Sequence, residues 1–480
     1  MAIPKEILDV ERPKNTRVKK NGNHYDVIKR TCVYKNGRNV PKELGKIGEI
    51  INGVYVATNN KKLHQGSDIK DAGKILLANK VAQDILPELC EYYDTPSAKK
   101  IYCLALLRAA YGNVCIRDLQ YRYETSFLSE LIPGIALSEN SVSDFLELVG
   151  SNINTSILFM KSKLDNLEKG SVAIVDGMLK DCNCETSDFV QWSRKSRLKG
   201  TKEISLLYAF DSKTGEPLAH KIYPGNMLDN TAFDDFLNTF KPQNSLIMGD
   251  KGFVSKETLN NLSSKKIDYL FPIKRNDKRI GALNLYDYQG TFNDDDDIIE
   301  YCKNFTKGID DNDETLYFYS YKSMLDETNE KSGYLKNADK KGSYNIESKK
   351  KKQDKFGTIV FISNKDMNPK DVYFLYEKRW EIETYFSFYK NFASLNNVRV
   401  QGDISIIGSE FINFISSIVS VRIKKLFKEK ELNKKYTYPE IMMYLESVKK
   451  YRDIESGNWV MTKTLKYVAE IVTKLEIWFL

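Results

Sequence analysis

The chain has 480 residues, too many for one ordinary core, so it should divide into roughly two to four domains or subdomains. Its 41% hydrophobic and 29% charged residues match a soluble globular protein, and a formal charge of +8 suits a polyanionic partner. Seven scattered cysteines and three distant histidines exclude a disulfide framework and a zinc site by spacing, and point to a reduced, cytoplasmic setting.

The start, Met1-Ala-Ile-Pro-Lys-Glu-Ile-Leu, soon meets charge and lacks the apolar core of a signal peptide. Residues 1–50 carry 12 Lys/Arg against 6 Asp/Glu, so +6 sits in the first tenth of the chain. Val/Ile/Tyr runs broken by Asn-Gly pairs predict small β-hairpins over residues 20–57. From about 70 to 150 the pattern is helical. Ser97 to Tyr111 is apolar-periodic with Gly112 as its stop, Ile116 to Glu124 bears Arg117 and Arg122, and a third helix runs from about Ser141 to Val149. These helices fit a helix-turn-helix entering a major groove and fit an ordinary three-helix packing unit equally well.

From about 165 strands and helices alternate. Val172–Val175, Ile204–Phe210 and Leu218–Tyr223 read as three strands, with a turn at Lys213-Thr-Gly215. Thr231 is expected to cap a helix to Phe240, Leu246–Met248 is a fourth strand, Ser255 caps a helix to about Lys265, and Ile267–Ile273 is a fifth strand. Residues 276–356 are rich in Asn, Asp, Gly and Lys, with short aromatic runs such as Thr315-Leu-Tyr-Phe-Tyr-Ser-Tyr, and read as a β-rich insertion. The acidic run Asp294–Asp297 reads as a solvated loop. Lys349–Lys352 reads as a surface loop or a phosphate contact. Phe356–Ser363 is another strand, Pro369 opens a helix, and Ile404 to Phe427 is a long buried helix.

Two apolar, β-branched runs stop at an acid: Ser171-Val-Ala-Ile-Val-Asp176-Gly177 and Ser245-Leu-Ile-Met-Gly-Asp250-Lys-Gly252-Phe253. The carboxyl ends of buried strands are where α/β proteins hold ligands. The stretch Tyr376-Glu-Lys-Arg379-Trp-Glu-Ile-Glu383, continuing to Lys390, places Tyr376, Arg379, Glu383 and Lys390 within about 60° of one helix face. Hard divalent cations take oxygen ligands, and three acids shared between two ions match a two-metal clamp on phosphoryl transfer.

Asp176, Asp250-x-Gly-Phe253 and the Tyr376-x2-Arg379-x3-Glu383-x6-Lys390 spacing resemble the DDE transposases of bacterial insertion sequences, in particular the insertion-sequence-four superfamily with its "YREK" helix. Tyr223-Pro-Gly-Asn226-Met-Leu-Asp229-Asn-Thr231 is similar to these proteins as well. The resemblance covers roughly 165 to 430. It implies an α/β, ribonuclease-H-like catalytic domain (165–275 and 357–430) interrupted by a β-rich insertion (276–356). A helical N-terminal DNA-binding region (1–150) and a helical C-terminal region (431–480) complete the expected architecture.

The same resemblance implies cut-and-paste DNA transposition with two Mg²⁺ ions, Mn²⁺ able to substitute, held by Asp176, Asp250 and Glu383. Tyr376, Arg379 and Lys390 would hold phosphates of the DNA. The implied partners are duplex DNA, as terminal inverted repeats and target, and a second copy of the chain in the DNA complex, with no membrane and a bacterial cytoplasmic location. Some relatives place a base-stacking tryptophan in the insertion; no tryptophan lies between 276 and 356 here, so a Tyr or Phe takes that role or it is absent. The basic stretch Arg194-Lys-Ser-Arg197-Leu-Lys199-Gly-Thr-Lys202 fits a backbone-tracking loop or a solvated hairpin. A simple metal-dependent nuclease and an inactive DNA-binding descendant are the alternative functions.

Overall fold

The computed structural model describes residues 3–21, 24–35, 38–51, 53–57, 68–193, 200–243, 245–307, 314–342, 345–379, 397–453 and 456–478. The chain separates into two compact units, residues 1–69 with 451–460, and residues 70–450 with 461–480.

The first unit is an antiparallel meander of β1 (Thr16–Asn21), β2 (His24–Lys35), β3 (Arg38–Ile51) and β4 (Val54–Ala57), paired in that order. Val18 lies opposite Val27 in the β1–β2 ladder, and these two form a small core with Ile50. Ile7, Val10, Tyr25 and Tyr55 pack around them. The hairpins expected over residues 20–57 are therefore one continuous sheet.

Short β5 (Ile69–Asp71) lies where the chain passes into the second unit. That unit is mixed α/β, built on a ten-stranded mixed sheet. Its first strands are β6 (Ser171–Cys182), β7 (Glu203–Asp211), β8 (Pro217–Pro224), β9 (Ser245–Gly249) and β10 (Tyr269–Pro272). They lie in the order β8-β7-β6-β9-β10, antiparallel from β8 to β6 and parallel from β6 through β9 to β10. This order is consistent with a ribonuclease-H-like sheet.

The insertion continues the same sheet. β11 (Gly290–Asp294), β12 (Asp297–Lys307) and β13 (Thr315–Ser323) form an antiparallel run, and β14 (Thr358–Ser363) joins β13 to β10. The acidic run Asp294–Asp297 closes the β11–β12 hairpin, with Asp295 at φ 43°. The Lys349–Lys352 run is not the expected loop; it lies on a helix, Ile346–Gln353, where Lys352 sits 4.8 Å over the Tyr334 ring. Lysine is a good helix former, so a run of charge does not by itself exclude a helix. Finally β15 (Asn397–Val398) pairs with the far end of β6. Residues 431–480, expected to be helical, also contain the strands Lys449–Arg452 and Trp459–Met461.

The long helix Asp403–Glu429 anchors this unit. By length and composition it is apolar enough to cross a membrane, yet 83% of its most apolar window is buried inside the protein. Helices Thr95–Tyr111 and Glu139–Ser151 pack against it. The second crossing is so close that a Cβ on Gly150 would lie 1.9 Å from the Ile404 carbonyl, and one on Gly408 2.0 Å from that of Leu146. The helices at 95–111 and 139–151 are thus built into the sheet-bearing unit, separate from the basic β1–β4 meander.

The same helix satisfies a buried charge of the sheet. Lys180 Nζ on β6 donates to Glu410 Oε1 at 2.5 Å, with both side chains almost fully buried. Arg108 donates to Asn413 Oδ1 at 2.7 Å, and Asn413 Nδ2 donates to Glu410 Oε1 at 3.0 Å, which completes a buried network.

Candidate active site

Asp176 and Asp250 become neighbours through strand register. Parallel β6 and β9 pair as far as Val175 opposite Gly249, so the next residue on each strand is an aspartate. The sequence places both at strand ends, and for Asp176 this needs correcting. β6 runs on to Cys182, with Asp176 mid-strand opposite Tyr208 of β7. What stops near Asp176 is the pairing with β9. The polar residues beyond Gly177 masked the rest of the strand, because the partner that makes Lys180 tolerable there is Glu410, 230 residues away.

The two carboxylates sit differently. The Asp176 side chain is 12% exposed, and the Gly177 amide donates to its Oδ1 at 2.9 Å. Asp250 is 38% exposed and leads into a short 3₁₀ turn, Lys251–Phe253. Phe253 folds back to stack on Phe233 at 4.8 Å. That return explains Gly249, since a Cβ there would lie 2.8 Å from Phe253 Cδ2. A Cβ on Gly252 would meet Asp229 Oδ2 at 3.4 Å and Asp250 Oδ2 at 3.6 Å, so these two carboxylates flank Gly252. Asp229 opens the helix Asp229–Phe240. The signal that marks Asp229 is a carboxylate on the first helical turn after Tyr223-Pro-Gly-Asn226.

The helix over 369–379 brings the third element. Tyr321 on β13 donates its hydroxyl to the Pro369 carbonyl at 2.6 Å, which pins the helix start. Val372 is buried, Tyr373 packs on Phe292 and Tyr321 with centroids 5.3 and 5.4 Å away, and Tyr376 meets Phe361 of β14 at 4.7 Å. This apolar seating aims Arg379 at the acids. Its Nη2 lies 3.8 Å from Asp176 Oδ1 and 3.6 Å from Asp250 Oδ1, and its Nη1 donates to the Tyr376 hydroxyl at 3.3 Å. Burial works to lower the Arg379 pKa, but Asp176, Tyr376 and Asp250 outweigh it and hold the guanidinium above its ordinary value. Tyr376 and Arg379, expected to face phosphate, therefore lie against the aspartates and the sheet.

Two hard oxygen donors converging on one cationic point suit a divalent ion as well as a guanidinium. Among the described residues no group of three acidic, histidine or cysteine side chains is placed to hold a metal ion. Glu383 and Lys390 lie outside the described residues, as do Trp380 and the basic stretch 194–199.

Residues 169–406, just under half of the chain, match the family model of the transposase DDE domain. The span contains both aspartates and the helix that carries Arg379. No curated protein matches the chain. Among solved structures the chain is similar to the piggyBac transposase synaptic complex with hairpin DNA, at 14% identity and a TM-score of 0.39, over 84% of this chain and 85% of that one.

Proposed function

We propose that this protein is a DNA transposase of the cut-and-paste kind, cleaving at the ends of its own element and joining them to a target. The observation that carries the reading is the pair Asp176 and Asp250, delivered side by side by parallel strands within the span that matches a transposase DDE domain. Glu383 supplies the third carboxylate, and the three side chains would hold two Mg²⁺ ions, or Mn²⁺ in their place. Bound there, such ions would supply activation of the attacking oxygen and stabilisation of the leaving one. The chain's own contribution is position. Asp176, held in the sheet, fixes one point of the site; Asp250, on its turn, adapts to the other.

Arg379 keeps the two carboxylates close while they share its charge, and it is placed to turn to the phosphate once another cation takes that charge. Lys390 adds a further phosphate contact. The basic β1–β4 meander and the Arg117/Arg122 helix, both within residues 1–150, are the elements assigned to end recognition, by steering and groove contact. In this reading the chain works as a homodimer on its DNA, in a bacterial cytoplasm.

The test is cleavage of DNA carrying the element's own ends, with Mg²⁺, by the full chain and by Asp176→Ala, Asp250→Ala and Glu383→Ala. Each single change should abolish cleavage and leave end binding largely intact. A variant that cleaves within about tenfold of the parent removes its residue from the catalytic set.

A further inference from the structure

At the carboxyl ends of β9 and β10 the protein forms a groove of about 500 Å³ whose lining includes neither aspartate nor Arg379. Its apolar floor includes Leu259 and Ile273, while Lys251, Lys256 and Lys274 stand along it. The acid in its lining, Asp277, is already neutralised: Arg279 donates to it from Nε at 3.0 Å and from Nη2 at 2.7 Å. Lys251 and Lys274 are exposed, and neither has a side-chain partner among the described residues. Lysines gathered on one concave surface repel one another unless a polyanion lies between them. Lys251 follows Asp250 in the chain and belongs to the turn Lys251–Phe253, so the groove adjoins the element that carries the second aspartate.

We infer that this groove holds the phosphodiester backbone of the DNA strand running away from the reacting phosphate, with Lys251 and Lys274 as its two charge contacts. The inference rests on the transposase reading and adds a binding track to it. The groove is open and takes a repeating anion, where a single phosphate would call for an enclosed cradle of donors.

The measurement is the salt dependence of binding to random-sequence duplex DNA, by fluorescence anisotropy on the full chain. Replacing both lysines by alanine (Lys251→Ala with Lys274→Ala) should lower the log–log slope by about 1.8, since each lost phosphate contact on duplex DNA contributes about 0.9. Arginine at both positions should restore it, and alanine at Lys336 and Lys340, exposed on the Met324–Lys340 helix, should leave it unchanged. A parent with a steep slope that the double alanine variant retains overturns the groove alone. So does an equal fall in the Lys336/Lys340 control, or displacement of the DNA by inorganic phosphate beyond that by chloride at equal ionic strength. A parent that does not bind DNA overturns the transposase reading together with the groove.

Discussion

β6 and β9 each present an aspartate to the same point, by opposite means. β6 continues past Asp176, held by β7 along its length and by β15 at its far end, and Lys180 ties it to the helix Asp403–Glu429. β9 stops one residue before Asp250, and the chain turns away through Lys251, Gly252 and Phe253. Long-range packing sets the position of Asp176, whereas a local turn and its glycines set that of Asp250. One carboxylate therefore belongs to a rigid frame, and the other has room to adjust to what binds.

The largest effect should come from breaking the frame. Lys180→Met or Glu410→Leu alone breaks the buried pair and should destabilise the fold by about 3–5 kcal/mol in denaturant unfolding, whereas the double substitution should cost less than Glu410→Leu alone yet stop short of neutral, because Asn413 Nδ2 still loses its acceptor and Arg108 stays buried. If the single changes are as mild as the double, the pair does not anchor β6.

A second test lies on the same side of the sheet. His220 on β8 stacks on Tyr208, the residue opposite Asp176, and on Phe414, with centroids 5.4 and 5.3 Å away. Neither of its ring nitrogens has a hydrogen-bond partner among the described residues. Burial first, and Lys180 second, push its pKa down to about 3 from 6.5. The unfolded chain binds this proton more readily than the folded one, so the stability is present above pH 6.5 and is lost as pH falls towards 3. Over that window the loss should reach about 4 kcal/mol, and His220→Phe should flatten it while leaving stability at neutral pH little changed. An unaltered acid profile in the variant would place the sensitivity elsewhere.

The smaller effect separates the two strands directly. Gly249→Ala on β9 must displace two aromatic rings, at 2.8 Å for Phe253 Cδ2 and 3.0 Å for Phe271 Cε1, and should cost about 1–3 kcal/mol together with cleavage activity. Gly177→Ala on β6 meets only the end of a flexible side chain, Leu207 Cδ2 at 3.0 Å, and should cost less than about 1 kcal/mol. Equal costs, read by thermal unfolding, would mean that the turn after β9 is no more constrained than the strand.

What depends on near neighbours was legible in the chain of residues alone. The β-branched runs before Asp176 and Asp250 form strands, and Ser255 caps its helix by accepting from the Thr258 amide. Gly112, at φ 76°, ends the helix Thr95–Tyr111, and Pro369 opens the helix that carries Arg379. Each of these follows from backbone sterics or a hydrogen bond within a few residues. Tertiary structure decided the rest. That β6 extends through Lys180, that Val175 lies opposite Gly249, and that Arg379 reaches both aspartates are facts of register and packing between distant segments. No local pattern encodes such contacts, because the burial that makes a lysine acceptable in a strand, or turns an arginine towards two acids, exists only once the remote partner is in place.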